Sequence, residues 1–235
     1  MAVYGKGRKG RPIPQARALG QVFRSWHRAP IIEPSANHRR FEAIGAVFSH
    51  QLRFPIGKWI NKRFRKTGKP AVVVEWGCRS GQAIDYLTHQ YGDRIQAYGY
   101  SIQSHPEWEH NSRVKFIWND PFKMLRYFKK GSVDLIYSRF GLFQFFPQMH
   151  GTRASDPVTA NPSLAIDYIH RLGERLRVGG VLVTHVNDGL IGPLSLFNWK
   201  AAGFKFRLHG RFNYVNPRTR SANSVPPRIT LERVA

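Results

Sequence analysis

Residues Val72 to Gln82 read V-V-V-E-W-G-C-R-S-G-Q, an apolar run that ends in an acid and breaks at two glycines, Gly77 and Gly81. The run reads as a buried strand. The glycines let the backbone turn sharply into a helix and approach a ligand at the mouth of an α/β sheet. The chemistry this spacing serves is the binding of a nucleoside cofactor, with Glu75, Gly77, Cys78, Arg79 and Gly81 at the contact. Arg79 stands where a further glycine is expected. Its side chain has three options: it occupies the pocket, swings out, or pairs with a ligand carboxylate or with Glu75.

Other chemistry is narrowed by composition. The single cysteine, Cys78, excludes a disulfide framework and a multi-cysteine zinc site, and makes a reducing compartment the default. The 10 histidines show no paired ligand spacing, and His105 and His110 flank an acidic loop, so no metal site is expected. No apolar run approaches the roughly 20 residues that cross a bilayer, and no signal-peptide core follows Met1. The expectation is a soluble intracellular protein of the cytoplasm or the mitochondrial matrix.

The net charge of +23 is unevenly placed. Residues 1 to 70 carry 16 Lys/Arg against 2 Asp/Glu, residues 71 to 190 carry 13 against 11, and residues 191 to 235 carry 8 against 1. The middle is an ordinary globular segment between two polycationic ends. An excess of one sign opposes compaction unless a polyanion neutralises it, and a phosphate backbone is the commonest such partner. The implied partner is RNA, with an acidic membrane surface as the competing reading. The candidate phosphate contacts are Lys6, Arg8, Lys9 and Arg11 in the N-terminal segment, Lys58, Lys62, Arg63, Arg65 and Lys66 before the strand, and Arg218 and Arg220 near the C-terminus.

These residues must be positioned by the elements around them. Residues 1–34 hold seven Lys/Arg before the first acid, Glu33, with several Gly and Pro and no apolar period, and read as an extended basic arm that is disordered without RNA. The arm is rich in Arg like a mitochondrial presequence, but its amphipathicity is poor. Its G-K-G-R-K-G, Gly5 to Gly10, fits a dinucleotide fingerprint by letters only, since no strand precedes it. Residues 35–69 form basic helices broken at Pro55 and Gly57. From Ala71 strands and helices alternate: strands at Ala71 to Glu75, Ile95 to Ser101, Val114 to Trp118, Val133 to Ser138 and Val181 to Val186, helices at Gly81 to His89 and Pro162 to Leu176. Then come a short helix near Leu194 to Ala201 and strands Phe204 to Tyr214 and Val225 to Val234, joined by the polar N-P-R-T-R-S-A-N-S. Such alternation implies a parallel sheet with helices on both faces.

The order of landmarks resembles the class I S-adenosylmethionine-dependent methyltransferases over residues 70–235. The first motif of that family, D/E-x-G-x-G-x-G, is matched by E-W-G-C-R-S-G at Glu75, Gly77 and Gly81, and the acid past the third strand by F-I-W-N-D at Asp120. The fourth strand is matched by V-D-L-I-Y-S-R-F-G-L-F-Q-F, the turn before the fifth by R-L-R-V-G-G-V-L-V, and an A-G-F turn by Ala202, Gly203 and Phe204. The resemblance implies an α/β Rossmann-like methyltransferase fold, a mostly parallel seven-stranded sheet with a C-terminal antiparallel hairpin, and S-adenosylmethionine as cofactor unless binding has been lost. It places Ser101 at the ribose, where the family has an acid, Asn119 and Asp120 near the adenine, and Ser138 at the end of the fourth strand. A serine makes one of the acid's two hydrogen bonds, a difference of about 1 to 3 kcal/mol.

Several acceptor chemistries of that family lack their residues here. Methylation at a pyrimidine carbon needs a cysteine near the fourth or sixth strand, and Cys78 is elsewhere. Adenine amino-group methylation uses [N/D]-P-P-[Y/F] after the fourth strand; the nearest string, N-D-P-F at Asn119 to Phe122, has one proline too few and follows the third. Ribose 2′-hydroxyl methylation needs a Lys-Asp-Lys-Glu set whose Asp is missing, which leaves Lys200 and Glu232 structural or phosphate-facing. What remains is a ring nitrogen that is already nucleophilic and needs positioning more than a base. Ser138, Arg139, Gln144 and His150 to Asn161 would line that crevice, the run Phe140, Phe143, Phe145 and Phe146 reads as core, and no residue is assigned as catalytic. Two functions fit: a methyltransferase of structured RNA, with ribosomal RNA the first candidate, or an inactive relative serving as a ribosomal component or ribosome assembly factor.

Overall fold

In the computed structural model, residues 52–101, 104–118, 121–138, 162–186, 188–215 and 222–235 are described. The basic arm with Lys6, Arg8, Lys9 and Arg11, the pair Asn119 and Asp120, the segment 139–161 and the tip with Arg218 and Arg220 lie outside the described residues.

The helices are α1 Ile56–Thr67, α2 Gln82–Tyr91, α3 Pro121–Tyr127, α4 Pro162–Gly173 and α5 Ile191–Leu196. The strands are β1 Ala71–Trp76, β2 Ile95–Ser101, β3 Val114–Trp118, β4 Val133–Ser138, β5 Leu176–His185, β6 Phe204–His209, β7 Phe212–Val215, β8 Ala222–Val225 and β9 Arg228–Arg233. Seven strands form one sheet in the order β3-β2-β1-β4-β5-β9-β6. The pairs among β3, β2, β1, β4 and β5 are parallel, while β9 runs antiparallel to both β5 and β6. This is the Rossmann-like methyltransferase arrangement expected from the sequence.

The period-2 alternation of β1 feeds two cores. Val74 and Trp76 join Tyr100, Ile136, Leu182 and Ile169 on one face, whereas Val73 joins Ile60, Ile84, Leu135 and Val183 on the other. Helix α1 reaches this second core through Ile56 and Ile60. It lies close to the end of α2: a Cβ at Gly57 would stand 1.8 Å from the Tyr91 hydroxyl, so a larger residue there would have to displace the tip of Tyr91.

Four details depart from the sequence reading. Helix α3 was not anticipated, and α5 begins three residues before the expected Leu194. Strand β5 starts at Leu176, and R-V-G-G bulges out of it: Val133 pairs with Leu176 but Leu135 pairs with Val181. Ala222 to Ser224, expected in the loop, are paired strand. The register explains the last point. His209 opposes Arg228 and Phe212 opposes Val225, so β6 with β7 and β9 with β8 are the two arms of one hairpin. Its ladder breaks where Gly210 and Arg211 stand opposite Pro226 and Pro227, because a proline has no N–H to give.

Candidate functional site

In sheets of this kind ligands bind beyond the C-terminal ends of the parallel strands, where the β1–α2 loop lies. Gly77 and Gly81 take φ of 77° and 80°, and Arg79 between them takes φ of 50°. The loop therefore keeps three left-handed residues although one of them is not glycine. Holding a non-glycine residue in that region costs roughly 1–2 kcal/mol. The backbone around it is tied down on several sides. The amides of Gly77 and Cys78 both donate to the Tyr100 carbonyl at 2.8 Å, and the Gly81 amide donates to the Cys78 carbonyl at 2.9 Å.

Glu75 is 2% exposed, and its Oε2 accepts the Ile84 amide at 3.0 Å. Ile84 belongs to the first turn of α2, whose N-cap, Gly81, brings no side-chain cap of its own. The buried carboxylate thus satisfies an orphan helix donor and complements the positive end of the helix. Arg79, by contrast, is exposed, and its charge acts on His105. The side chain is thus not sealed into the loop beneath it.

Two aromatic residues brace the loop from behind. Trp108 donates its Nε1–H to the Arg79 carbonyl at 2.8 Å and stacks on Phe116 with centroids 4.8 Å apart and planes 6° apart. Phe116 fills the space against the glycines, since a Cβ on Gly81 would fall 2.3 Å from its ring and one on Gly99 2.6 Å. Gly81 thus serves both φ and close packing. Sequence reasoning missed Trp108 and Phe116; the aromatic residues flanking the acids of the 105–110 turn were the available signal. His105, beside this stack, is held below the ordinary histidine value by burial, a downward shift opposed by Glu107 and reinforced by Arg79.

Ser101 closes β2 one residue past Tyr100 and is buried, 5% exposed. Ser138 ends β4 and is fully buried. The sheet therefore brings together Glu75, Gly77, Cys78, Arg79, Gly81, Ser101 and Ser138 at one edge. Cys78 is buried against β2, its sulfur 2.9 Å from where a Cβ of Gly99 would be, a packing role. Among the described residues no cluster of His, Cys, Asp and Glu could hold a metal ion.

The basic residues of α1 divide. Lys58, Lys62, Arg65 and Lys66 are exposed, and no acid sits in the first turn of the helix. Arg63 departs from the expected phosphate set: its Nε and Nη2 reach Asp134 Oδ1 at 2.9 and 2.8 Å. Asp134, 1% exposed in β4, also accepts the Val72 amide at 2.8 Å and faces Arg177 at 3.4 Å. A buried carboxylate needs such partners, so Arg63 serves the fold. Lys200 is exposed in the turn before β6, and Glu232 sits in β9 opposite Lys205 and Val181, away from the crevice edge.

Fold and loop define the class: a Rossmann-like methyltransferase fold with its glycine-bearing first loop in place. Neither a protein-family model nor a curated protein sequence matches the chain. Solved structures similar to it include the 1,6-didemethyltoxoflavin-N1-methyltransferase of Burkholderia thailandensis, bound to 1,6-didemethyltoxoflavin and S-adenosylhomocysteine, at 15% identity and TM-score 0.47, covering 88% of this chain and 95% of that one. An rRNA methylase from Streptococcus thermophilus is similar at 14% identity and TM-score 0.45, over 71% of this chain and 89% of its own. A SAM-dependent methyltransferase from Archaeoglobus fulgidus is similar at 10% identity and TM-score 0.47, over 80% and 99%.

Proposed function

We propose that this chain is an S-adenosylmethionine-dependent methyltransferase acting on structured RNA. The observation that carries the cofactor half is the first loop: three residues in left-handed geometry, an acid buried beneath the helix start, and an Arg79 side chain that stays exposed. A loop that had lost its ligand has no reason to keep a strained arginine at φ 50°. In this reading the loop backbone from Gly77 to Gly81 holds the amino-acid part of the cofactor, and Ser101 gives the ribose one hydrogen bond. Asp120 would meet the adenine. S-adenosylmethionine, when bound, supplies a methyl group on a sulfonium. The protein's own contribution is to hold a nucleophilic ring nitrogen in line with it and to exclude water.

The RNA half rests on charge. Lys58, Lys62 and Lys66 repeat at i, i+4 and i+8 along α1, with Arg65 beside them and Lys69 just beyond the helix end. Like charges at that spacing destabilise a helix by a few tenths of a kcal/mol per pair, a cost that a phosphate backbone removes.

The test is transfer of a tritiated methyl group to total RNA. Label above background that is lost in Glu75→Gln, with circular dichroism unchanged, supports the enzyme. A second reading, a catalytically silent member of a ribonucleoprotein such as a ribosome or its assembly intermediate, is favoured by one residue: Ser101, buried where an acid would give two bonds to the ribose. Co-sedimentation with ribosomal particles without label would select it.

A further inference from the structure

The sheet face opposite α1 carries an aromatic cluster that reaches the surface. Tyr98 in the middle of β2 meets Phe128 edge to face, with centroids 5.2 Å apart and planes at 86°, and meets Tyr127 at 6.4 Å and 67°. Tyr127 in turn meets Phe128 at 5.2 Å and 74°. Phe128, 6% exposed, anchors the group in the core that holds Trp76 and Ile136. Tyr98 is half-buried against the same core, and its hydroxyl accepts the Gln96 Nε2 at 2.8 Å. Tyr127 differs: it ends α3 and is 55% exposed.

Cations flank these rings. Lys115 pairs with Tyr98 across the β2–β3 ladder and holds its ammonium 5.9 Å from the Tyr98 centroid, within the range of a cation–π contact. Lys123 precedes Tyr127 by four residues and Arg126 by three, spacings that make neighbours on a helix surface, and both cations are exposed. Lys130 serves Glu174 instead, at 2.5 Å. A tyrosine half in water, fixed by two other rings and bordered by cations, has the make-up of a platform on which a base stacks while the cations meet its phosphates. In a helical stem the base faces cover one another, so the base that stacks here is unpaired. The position agrees. Ser101, which closes β2 at the sheet edge, is three residues from Tyr98, about 10 Å at 3.3 Å per residue. A strand leaving that edge meets the rings within a few nucleotides.

We propose that Tyr127, supported by Tyr98 and bordered by Lys115, Lys123 and Arg126, is a stacking platform for an unpaired segment of the RNA next to its structured part. The platform rests on the RNA reading above and adds to it a second footprint, on the side of the sheet away from α1. The lysines of α1 meet phosphates whether or not the strand is paired, whereas Tyr127 takes only a base whose face is free.

The experiment uses the full chain and two RNA hairpins that differ only in a tail of about six nucleotides, adenosines in one and abasic in the other, so that their charge is the same. Affinity is measured between about 50 and 200 mM salt. The adenosine tail is expected to bind about tenfold tighter than the abasic one, the equivalent of about 1.4 kcal/mol. Tyr127→Ala is expected to abolish that preference without changing the salt slope, and Tyr127→Phe to keep it. Arg126→Gln is expected to keep the preference and to lower the salt slope for both hairpins by about one. Equal wild-type affinity for the two tails, or a preference that survives in Tyr127→Ala, overturns the platform but leaves the RNA reading standing. No salt-dependent binding of either hairpin overturns the RNA reading itself. A Glu-rich peptide bound by the wild type and not by Tyr127→Ala, with the tail preference unchanged between them, gives the face to an acidic protein segment and overturns RNA as its occupant.

Discussion

Arg79 offers the sharpest test of the loop. Its φ of 50° puts a residue with a Cβ in a region that costs roughly 1–2 kcal/mol. Replacement by glycine relieves that cost but returns about 0.5–1 kcal/mol to the unfolded chain as backbone freedom. The side chain is exposed, and the contact the residue makes with Trp108 is through its carbonyl, which glycine keeps. The net expectation for Arg79→Gly is a gain of about 0.5–1 kcal/mol, read as a higher urea midpoint at unchanged slope. Arg79→Ala separates backbone from side chain: it keeps the strain and removes only the exposed guanidinium, so its stability should stay within about 0.5 kcal/mol of the parent. Removing either way a positive charge that pushes His105 down should raise the His105 pKa, which NMR titration reads directly. A loss of more than about 1 kcal/mol in Arg79→Gly would refute the reasoning, since it would mean that the guanidinium holds the loop.

Gly81→Ala should cost more than about 2 kcal/mol, because it combines φ of 80° with a Cβ 2.3 Å from Phe116, and thermal unfolding would show it. Asp134→Asn should cost about 3 kcal/mol, the lower end for breaking a buried pair, because Arg63 and Arg177 are partly exposed and can return to water; a loss under about 1 kcal/mol would mean the pair is dispensable. Folded-state pKa values of His105 and His209 lie below the ordinary 6.5, so their neutral forms are favoured in the fold. Their contribution is present above 6.5 and is lost as pH falls through the depressed values, so His105→Gln should flatten the decline of stability below that point.

The parts of the site legible in the sequence were local ones. Glu75, Gly77 and Gly81 could be read because a strand end, an acid and a left-handed turn must follow each other within a few residues. The parallel sheet followed from strands and helices alternating, whereas its strand order and the break in the last hairpin came only with the structure. What escaped depends on residues far apart in the chain. Arg63 lies 71 positions from Asp134, and nothing in its helix distinguishes it from Lys62 until the sheet brings the acid beneath it. Tyr98, Lys115 and Tyr127 come from separate elements, and counting charge along the chain dispersed them. The bracing of the Arg79 carbonyl by Trp108 joins residues 29 positions apart.

Calorimetric titration of S-adenosylmethionine into the full chain tests the central claim most directly. The account predicts saturable one-site binding that is lost in Gly81→Ala and tightened about tenfold in Ser101→Asp, the equivalent of about 1.4 kcal/mol for one restored hydrogen bond. A folded wild-type chain that gives no saturable heat up to about 1 mM, where binding would be worth only about 4 kcal/mol, would contradict it.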